Sequence, residues 1–194
     1  MDLTPVVLQG QHVRLEPLAP HHHEGLCAAG LAPEIWRWIP FQITTPDQMR
    51  AYIEAGLGDQ ERGVSLPFAT LDAATGSVIG STRFMNIDVP NLHVEIGSTW
   101  LAPARQRTAA NTEAKYLMLG YAFDKLGCIR VELKTDALNE KSRAAILRIG
   151  AKQEGIFRNH VICHNGRIRD SVYFSITREE WPDVRARLEE KLGR

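Results

Sequence analysis

Residues 94 to 115, VEIGSTWLAPARQRTAANTEAK, constrain this chain more than any other stretch, because an alternating strand runs into a short loop that opens a helix. A helix N-terminus leaves its first backbone N–H groups without intrahelical partners and carries the positive end of the helix dipole, so a phosphate or pyrophosphate fits there. In the loop, Ala104, Ala109 and Ala110 are small enough to let a ligand approach the backbone. Arg105 and Arg107 add positive charge, and Asn111 or Thr112 can cap the helix. Taken alone, an ordinary capped loop is the commoner reading of such a segment.

The following segments change that balance. Leu126-Gly127 closes the helix, Ile129 to Thr135 reads as a buried strand, and Asn139, Ser142, Ile146 and Gly150 mark a second short helix and its stop. QRTAANTEAK, followed by LG, RVELKT, NEKS and IGAKQEG, resembles the GNAT superfamily of acetyl-CoA-dependent N-acetyltransferases, and most of all its RimJ/RimL-type branch. The resemblance covers nearly the whole chain, from Val13 to Trp181. It implies a mixed α/β (α+β) sheet of about seven mostly antiparallel strands flanked by helices. In that fold the strand holding Val94 to Leu101 splays from the strand at 129 to 135, and acetyl-CoA lies in the gap. The superfamily's phosphate loop reads Gln or Arg, two residues, Gly, one residue, then Gly or Ala. Here Gln106 leads, but Ala109 stands for the Gly and Asn111 for the last small residue. If the loop needs a positive φ at residue 109, Ala costs about 1 kcal/mol relative to Gly.

With 194 residues, 44% hydrophobic and 24% charged, the chain is long enough for one sizeable core and short for two, so a single domain over residues 1–194 is expected. Lys plus Arg and Asp plus Glu both total 23, which gives no global basic field for nucleic acid or an anionic membrane surface. Cys27, Cys128 and Cys163 are far apart and fit a reducing compartment. No signal-like start and no apolar run of bilayer length is present, so a soluble, cytoplasmic protein is expected.

Periodicity then orders the elements. His12 to Leu18 alternates as a half-buried strand, Pro20 opens a helical stretch through Gly30, and another helical start follows at Pro33. Thr45-Pro46-Asp47-Gln48 is a capping box leading a helix with Met49, Tyr52, Ile53 and Leu57 on one stripe, which Gly56 and Gly58 are expected to fray or end. Strands follow at 66–71, 78–87 and 93–100, then a helix from Thr112 to Leu126 and a strand at 129–135. A helix at 142–149, a long strand from Lys152, the Asn165-Gly166 turn, a return strand to Ile176 and a last helix after Pro182 complete the order.

Acetyl transfer to an amine needs a held thioester, an acceptor for the ammonium proton and a donor for the departing thiolate. The resemblance implies that acetyl-CoA is received by Gln106, Arg107, Thr108, Ala109, Ala110, Asn111 and Thr112, with the main chain of Trp100 and Leu101 along the pantetheine arm. Glu95 is the candidate base; by alternation it shares a face with His93, Gly97 and Thr99, and an ion-pair or solvated carboxylate competes with that role. Asn139 or Ser142 can cap a helix in the usual way, whereas the resemblance gives Asn139 to the pantetheine and Ser142 to the thiolate.

Family analogy places the acceptor wall at Trp36, Trp38, Ile39 and Phe41, with Arg37 among them, although aromatics this dense more often form core. Phe157, Arg158, His160, Arg169, Asp170 and Tyr173 are candidates for the opposite wall, Arg169-Asp170 reading equally as a surface pair. No metal is expected: adjacent histidines at His21 to His23 point apart on a helix, and Cys163-His164 lacks a spaced partner pair. No Cys carries an activating motif. The resulting expectation is an N-acetyltransferase using acetyl-CoA and a primary amine of a protein N-terminus or small molecule. A non-catalytic acyl-CoA-binding sensor of the same fold is the alternative. The hairpin from Lys152 to Ile176 leaves an edge on which a homodimer can pair.

Overall fold

Alternating apolar residues and Gly or Pro punctuation set out eight strands in the computed structural model, which describes residues 1–194. They are β1 (Leu8–Gln9), β2 (Val13–Pro17), β3 (Leu66–Asp72), β4 (Val78–Asp88), β5 (His93–Leu101), β6 (Arg130–Asp136), β7 (Lys152–Ile162) and β8 (Ile168–Thr177). One sheet joins them in the order β1-β2-β3-β4-β5-β6-β8-β7. Every seam is antiparallel except β5–β6. The eighth strand is β1, whose two residues are too few to show a period of two.

The helices are α1 (His23–Gly30), α2 (Pro46–Glu61), α3 (Ala109–Gly120), α4 (Glu140–Arg148) and α5 (Trp181–Leu192). The capping box opens α2 as expected: the Gln48 amide donates to Thr45 Oγ1 at 3.3 Å, and Gln48 Oε1 accepts from the Thr45 amide at 3.2 Å. Contrary to expectation, α2 runs through Gly56 and Gly58. A Cβ on Gly56 would meet Leu18 at 3.2 Å, so close packing against the sheet favours glycine there and outweighs its poor propensity. One apolar core, with Phe84, Val94, Met118, Leu133, Phe174 and Leu188, lies between the sheet and α3, α4 and α5. A second, with Trp36, Met49, Ile53 and Trp100, lies under α1 and α2. No helix is long and apolar enough to cross a membrane.

The sheet opens at its middle. Along the parallel seam only His93, Val94 and Glu95 pair, with Arg130, Val131 and Glu132. Beyond that point β5 keeps β4 alone and β6 keeps β8 alone. A bulge turns β5 as it leaves: Ser81 faces Trp100 and Arg83 faces Gly97, so three steps on β5 oppose two on β4, with Ser98 at φ 48°. The extra residue inverts the alternation. Ser98 Oγ lies 3.5 Å from the Tyr52 hydroxyl on the α2 side, while Thr99 turns to α3 and accepts from Lys115 Nζ at 2.8 Å. Thr99 therefore does not share a face with Glu95, because strict period-two reading fails across a bulge.

Helix α3 also anchors the other end of the chain. Glu113, fully buried, accepts backbone N–H groups from Gln11, His12 and Val13 at 2.9, 2.6 and 2.7 Å, and Arg194 pairs with it. Replacing it by Ala removes the acceptor of three backbone donors, of which the Val13 amide is buried. Glu113→Ala is expected to cost about 3 kcal/mol or more, read as a fall in urea midpoint with faster amide exchange at residues 11–13.

Candidate active site

The gap between the diverging strands is a cleft of about 1570 Å³. One wall is β5 from Glu95 to Leu101, the other β6 from Leu133 to Thr135 with Asn139 and Ser142, and the loop Gln106 to Thr108 closes one end. Trp38, Phe41, Tyr52, Arg83 and Met85 line the other end, beneath α2.

Helix α3 begins earlier than expected. Thr108 is its cap, taking the Ala110 amide on Oγ1 at 3.2 Å, and Ala109 is the first helical residue. Asn111 and Thr112 are therefore not caps. The positive φ falls on Arg107, at 61°, and not on residue 109, so Ala109 bears no left-handed penalty. The amides of Arg107 and Thr108 donate to no protein acceptor and stand on exposed residues. Gln106 Nε2 donates to the Leu101 carbonyl at 3.1 Å and so ties the loop to the end of β5. Asn111 lines the cleft, whereas Ala110 and Thr112 are buried; Thr112 Oγ1 accepts from Arg148 at 3.1 Å.

Glu95 stands where β5 and β6 part, 2% exposed. Asn86 Nδ2 donates to its Oε2 at 2.8 Å and Lys134 Nζ at 3.0 Å. A second bulge, with Asn86 at φ 48°, aims that amide. Gly97 is required beside the carboxylate, since a Cβ would lie 2.9 Å from Glu95 Oε1 and 2.6 Å from Met85 Sδ. Glu95 lines the cleft and is the ion-pair partner of Lys134.

Asn139 is likewise doubly placed. Its Oδ1 caps α4 by accepting the Ser142 amide at 3.1 Å, while both side chains line the cleft. Ser142 Oγ makes no hydrogen bond within the chain and is half-buried.

The aromatic residues separate. Trp38 and Phe41 line the cleft, but Trp36 is fully buried, donates its indole N–H to the Gly30 carbonyl at 2.8 Å and packs against Trp100. It is core behind the wall and not wall. Tyr173 lies outside the cleft lining, stacked on Phe157 at 4.4 Å with Lys134 5.7 Å above its ring. Arg169 and Asp170 are not a pair: Arg169 is buried toward Asp136 at 4.0 Å, and Asp170 accepts the Asn159 amide at 2.7 Å. Burial, then the charges of Lys134 and Arg169, push His160 below its ordinary value.

The histidine cluster meets in space after all. His21 and His22 lie in a tight turn with rings 4.0 Å apart, and Glu16 brings a third group within 4.8 Å. Yet His22 Nδ1 accepts the Ala19 amide at 3.1 Å, which leaves the proton on Nε2, 3.2 Å from Glu16 Oε2. That nitrogen offers a metal no lone pair. Burial holds His22 below its ordinary value, against the opposing pull of Glu16.

Sequence reasoning passed over Lys115, Arg83 and Lys134, all of which line the cleft. Lys115 lies one turn along α3 from Asn111, and the alternation of RVELKT puts Lys134 opposite Leu133, so position signalled both. Burial pushes Lys115 down to about 7, and Thr99 Oγ1 is its hydrogen-bond partner.

A splayed parallel pair thus leaves a cleft with free amides at a helix start and a buried carboxylate where the strands part. Residues 12–152 match the acetyltransferase (GNAT) domain, and the chain belongs to that family. A Bacillus subtilis relative, YdaF, named as a ribosomal N-acetyltransferase, is 30% identical over 88% of this chain and 94% of its own length. The crystal structure of a GCN5-related N-acetyltransferase from Brucella melitensis superposes with a TM-score of 0.89 at 34% identity, covering 96% of this chain and 85% of that one. Mycobacterium smegmatis RimJ, solved with CoA-disulfide, shares the fold at a TM-score of 0.86 and 21% identity, covering 99% and 97%.

Lys115 has a signature in stability. Between pH 7 and 10.5 the unfolded chain holds a proton that the folded protein has released, so stability rises with pH across that window. Urea titrations are expected to show Lys115→Met gaining most over the native protein below pH 7, with the gap closing toward pH 10.5.

Proposed function

We propose that residues 1–194 form a single N-acetyltransferase domain that moves an acetyl group directly from acetyl-CoA to a primary amine, on a protein N-terminus or a small molecule. The observation that carries this reading is the position of Glu95, a buried carboxylate at the head of a cleft whose other end is a row of unpaired amides.

The residues present fit the coenzyme. The free Arg107 and Thr108 amides, at the positive end of α3, suit a pyrophosphate, and Arg107, Lys141 and Arg148 add cations to that end of the lining. The free backbone edge of β5 beyond Glu95 offers strand-like hydrogen bonds to an extended amide-bearing arm. Its volume exceeds the roughly 300–1,000 Å³ of ordinary small-molecule pockets, leaving room for an acceptor as well.

Acetyl-CoA supplies an activated thioester. Toward it, Glu95 receives a proton from the acceptor's ammonium, directly or through a water, and Lys134 and Asn86 fix the carboxylate for that task. Ser142 Oγ, free within the chain, donates a hydrogen bond or proton where the sulfur departs, and Asn139 keeps its Nδ2 donor while Oδ1 holds the helix cap. Trp38 and Phe41 flank the acceptor's approach. A pairing of two copies along the exposed β7 edge is compatible with this site, since β7 lies beyond β8 at the sheet margin.

A thiol-release assay over amines and N-terminal peptides, with acetyl-CoA as donor, tests the reading. Amine-dependent release that falls at least about a hundredfold in Glu95→Gln, with CoA affinity retained, is expected. Coenzyme binding without release by any amine would instead identify a sensor. Because residue 109 is helical, Ala109→Gly is expected to leave the CoA dissociation constant, measured by calorimetry, within about twofold.

A further inference from the structure

Arg83 is 8% exposed and lines the acceptor end of the cleft, where its neighbours are the Tyr52 side chain and, at ion-pair distance, Asp59. Its Nε is buried with no partner at all. The carboxylate within reach is that of Asp59, 3.7 Å from Nη1, but Asp59 is partly exposed and pairs more closely with Arg62. The guanidinium lies over the Tyr52 ring at 4.8 Å, and the Tyr52 hydroxyl reaches Ser81 at 3.0 Å and Ser98 at 3.5 Å. A buried cationic N–H left without an acceptor is costly, and native chains rarely keep one unless something else supplies the acceptor.

Its surroundings state what that is. The other cations at this end are already engaged: Lys134 by Glu95, Arg169 by Asp136 and Ser171. Arg37 is exposed and lies over Trp38 at 4.8 Å. Four cations, Arg37, Arg83, Lys134 and Arg169, line the acceptor end with two anions, Glu34 and Glu95, while Asp136 and Asp59 stand behind Arg169 and Arg83 outside the lining. Such a surface disfavours a basic tail and favours an anion. Arg83 is in register with Gly97, two residues from Glu95 on the neighbouring strand, and both side chains lie on the α2 side. A single small ligand spans both groups.

We propose that the acceptor is an amine carrying a carboxylate a few atoms away, the amine going to Glu95 and the carboxylate to the fork of Arg83. A planar two-oxygen group matches a guanidinium and fits flat beside the Tyr52 ring. The inference rests on the acetyltransferase reading above and narrows its acceptor. The carboxylate comes either from a free amino acid or from an acidic side chain next to a peptide N-terminus, and these sources are separable.

The test is thiol release from acetyl-CoA with matched probes: propylamine and butylamine against β-alanine and 4-aminobutyrate, and peptides beginning Ser-Asp against Ser-Asn. The carboxylate member of at least one pair is expected to have a kcat/KM roughly tenfold or more higher. Which pair shows it tells amino acid from peptide. In Arg83→Met that ratio is expected to collapse toward one, with Arg83→Lys intermediate, and retained CoA binding shows that the variants are folded. Equal rates for both members of every pair, or a stronger preference for O-phosphoethanolamine, would overturn the proposal and leave the acetyltransferase reading intact. Should no amine release thiol, that reading fails, and calorimetry decides this one: 4-aminobutyrate or the Ser-Asp peptide binding the native protein but not Arg83→Met supports it. No binding to the native protein overturns it.

Discussion

A sheet interior does not leave backbone N–H and C=O groups unpaired without cause, and here it does so along two adjacent strands. After three paired residues β5 and β6 part, and each keeps a single neighbour. The unpaired edges make a slot whose walls are peptide groups, suited to an extended ligand with amides of its own. The remaining features serve that slot. The Ser98 bulge swings β5 away, the loop after it delivers the N-terminus of α3, and Glu95 sits at the last paired rung where both strands are held firm.

Charge is arranged locally in a chain whose total is zero. Buried Glu95, Glu113 and Asp136 each have cationic partners, and for Glu113 backbone donors as well. The carboxylates are satisfied from within. Two basic side chains, Arg83 and Lys115, lack so close a carboxylate, and both line the cleft. Buried polar groups left without such partners are exceptions that call for an explanation.

Much of this was readable in advance. The capping box of α2, the strand–loop–helix run and the Asn165-Gly166 turn are local signals, and local physics governs them. The errors share one origin in tertiary geometry. Nothing in GSTWL announces an inserted residue, so Thr99 was placed on the wrong face. Thr108 as cap was hidden because four successive polar or small residues offered competing starts. Trp36 and Trp38 look alike in sequence, and only packing against Trp100 sends one inward. Arg83 carries no local mark, because what distinguishes it is a single unpartnered Nε set by the fold around it.

The β5 bulge imposes a constraint of length on the strand that borders the slot. Exchange of one side chain leaves the phase of the strand intact. Loss or gain of a residue between Gly97 and Thr99 would rotate everything downstream by half a turn, exchanging Trp100 with Leu101 between the two cores and misaiming the loop beyond. This stretch can therefore diversify by substitution, whereas an indel here disturbs both halves of the molecule at once.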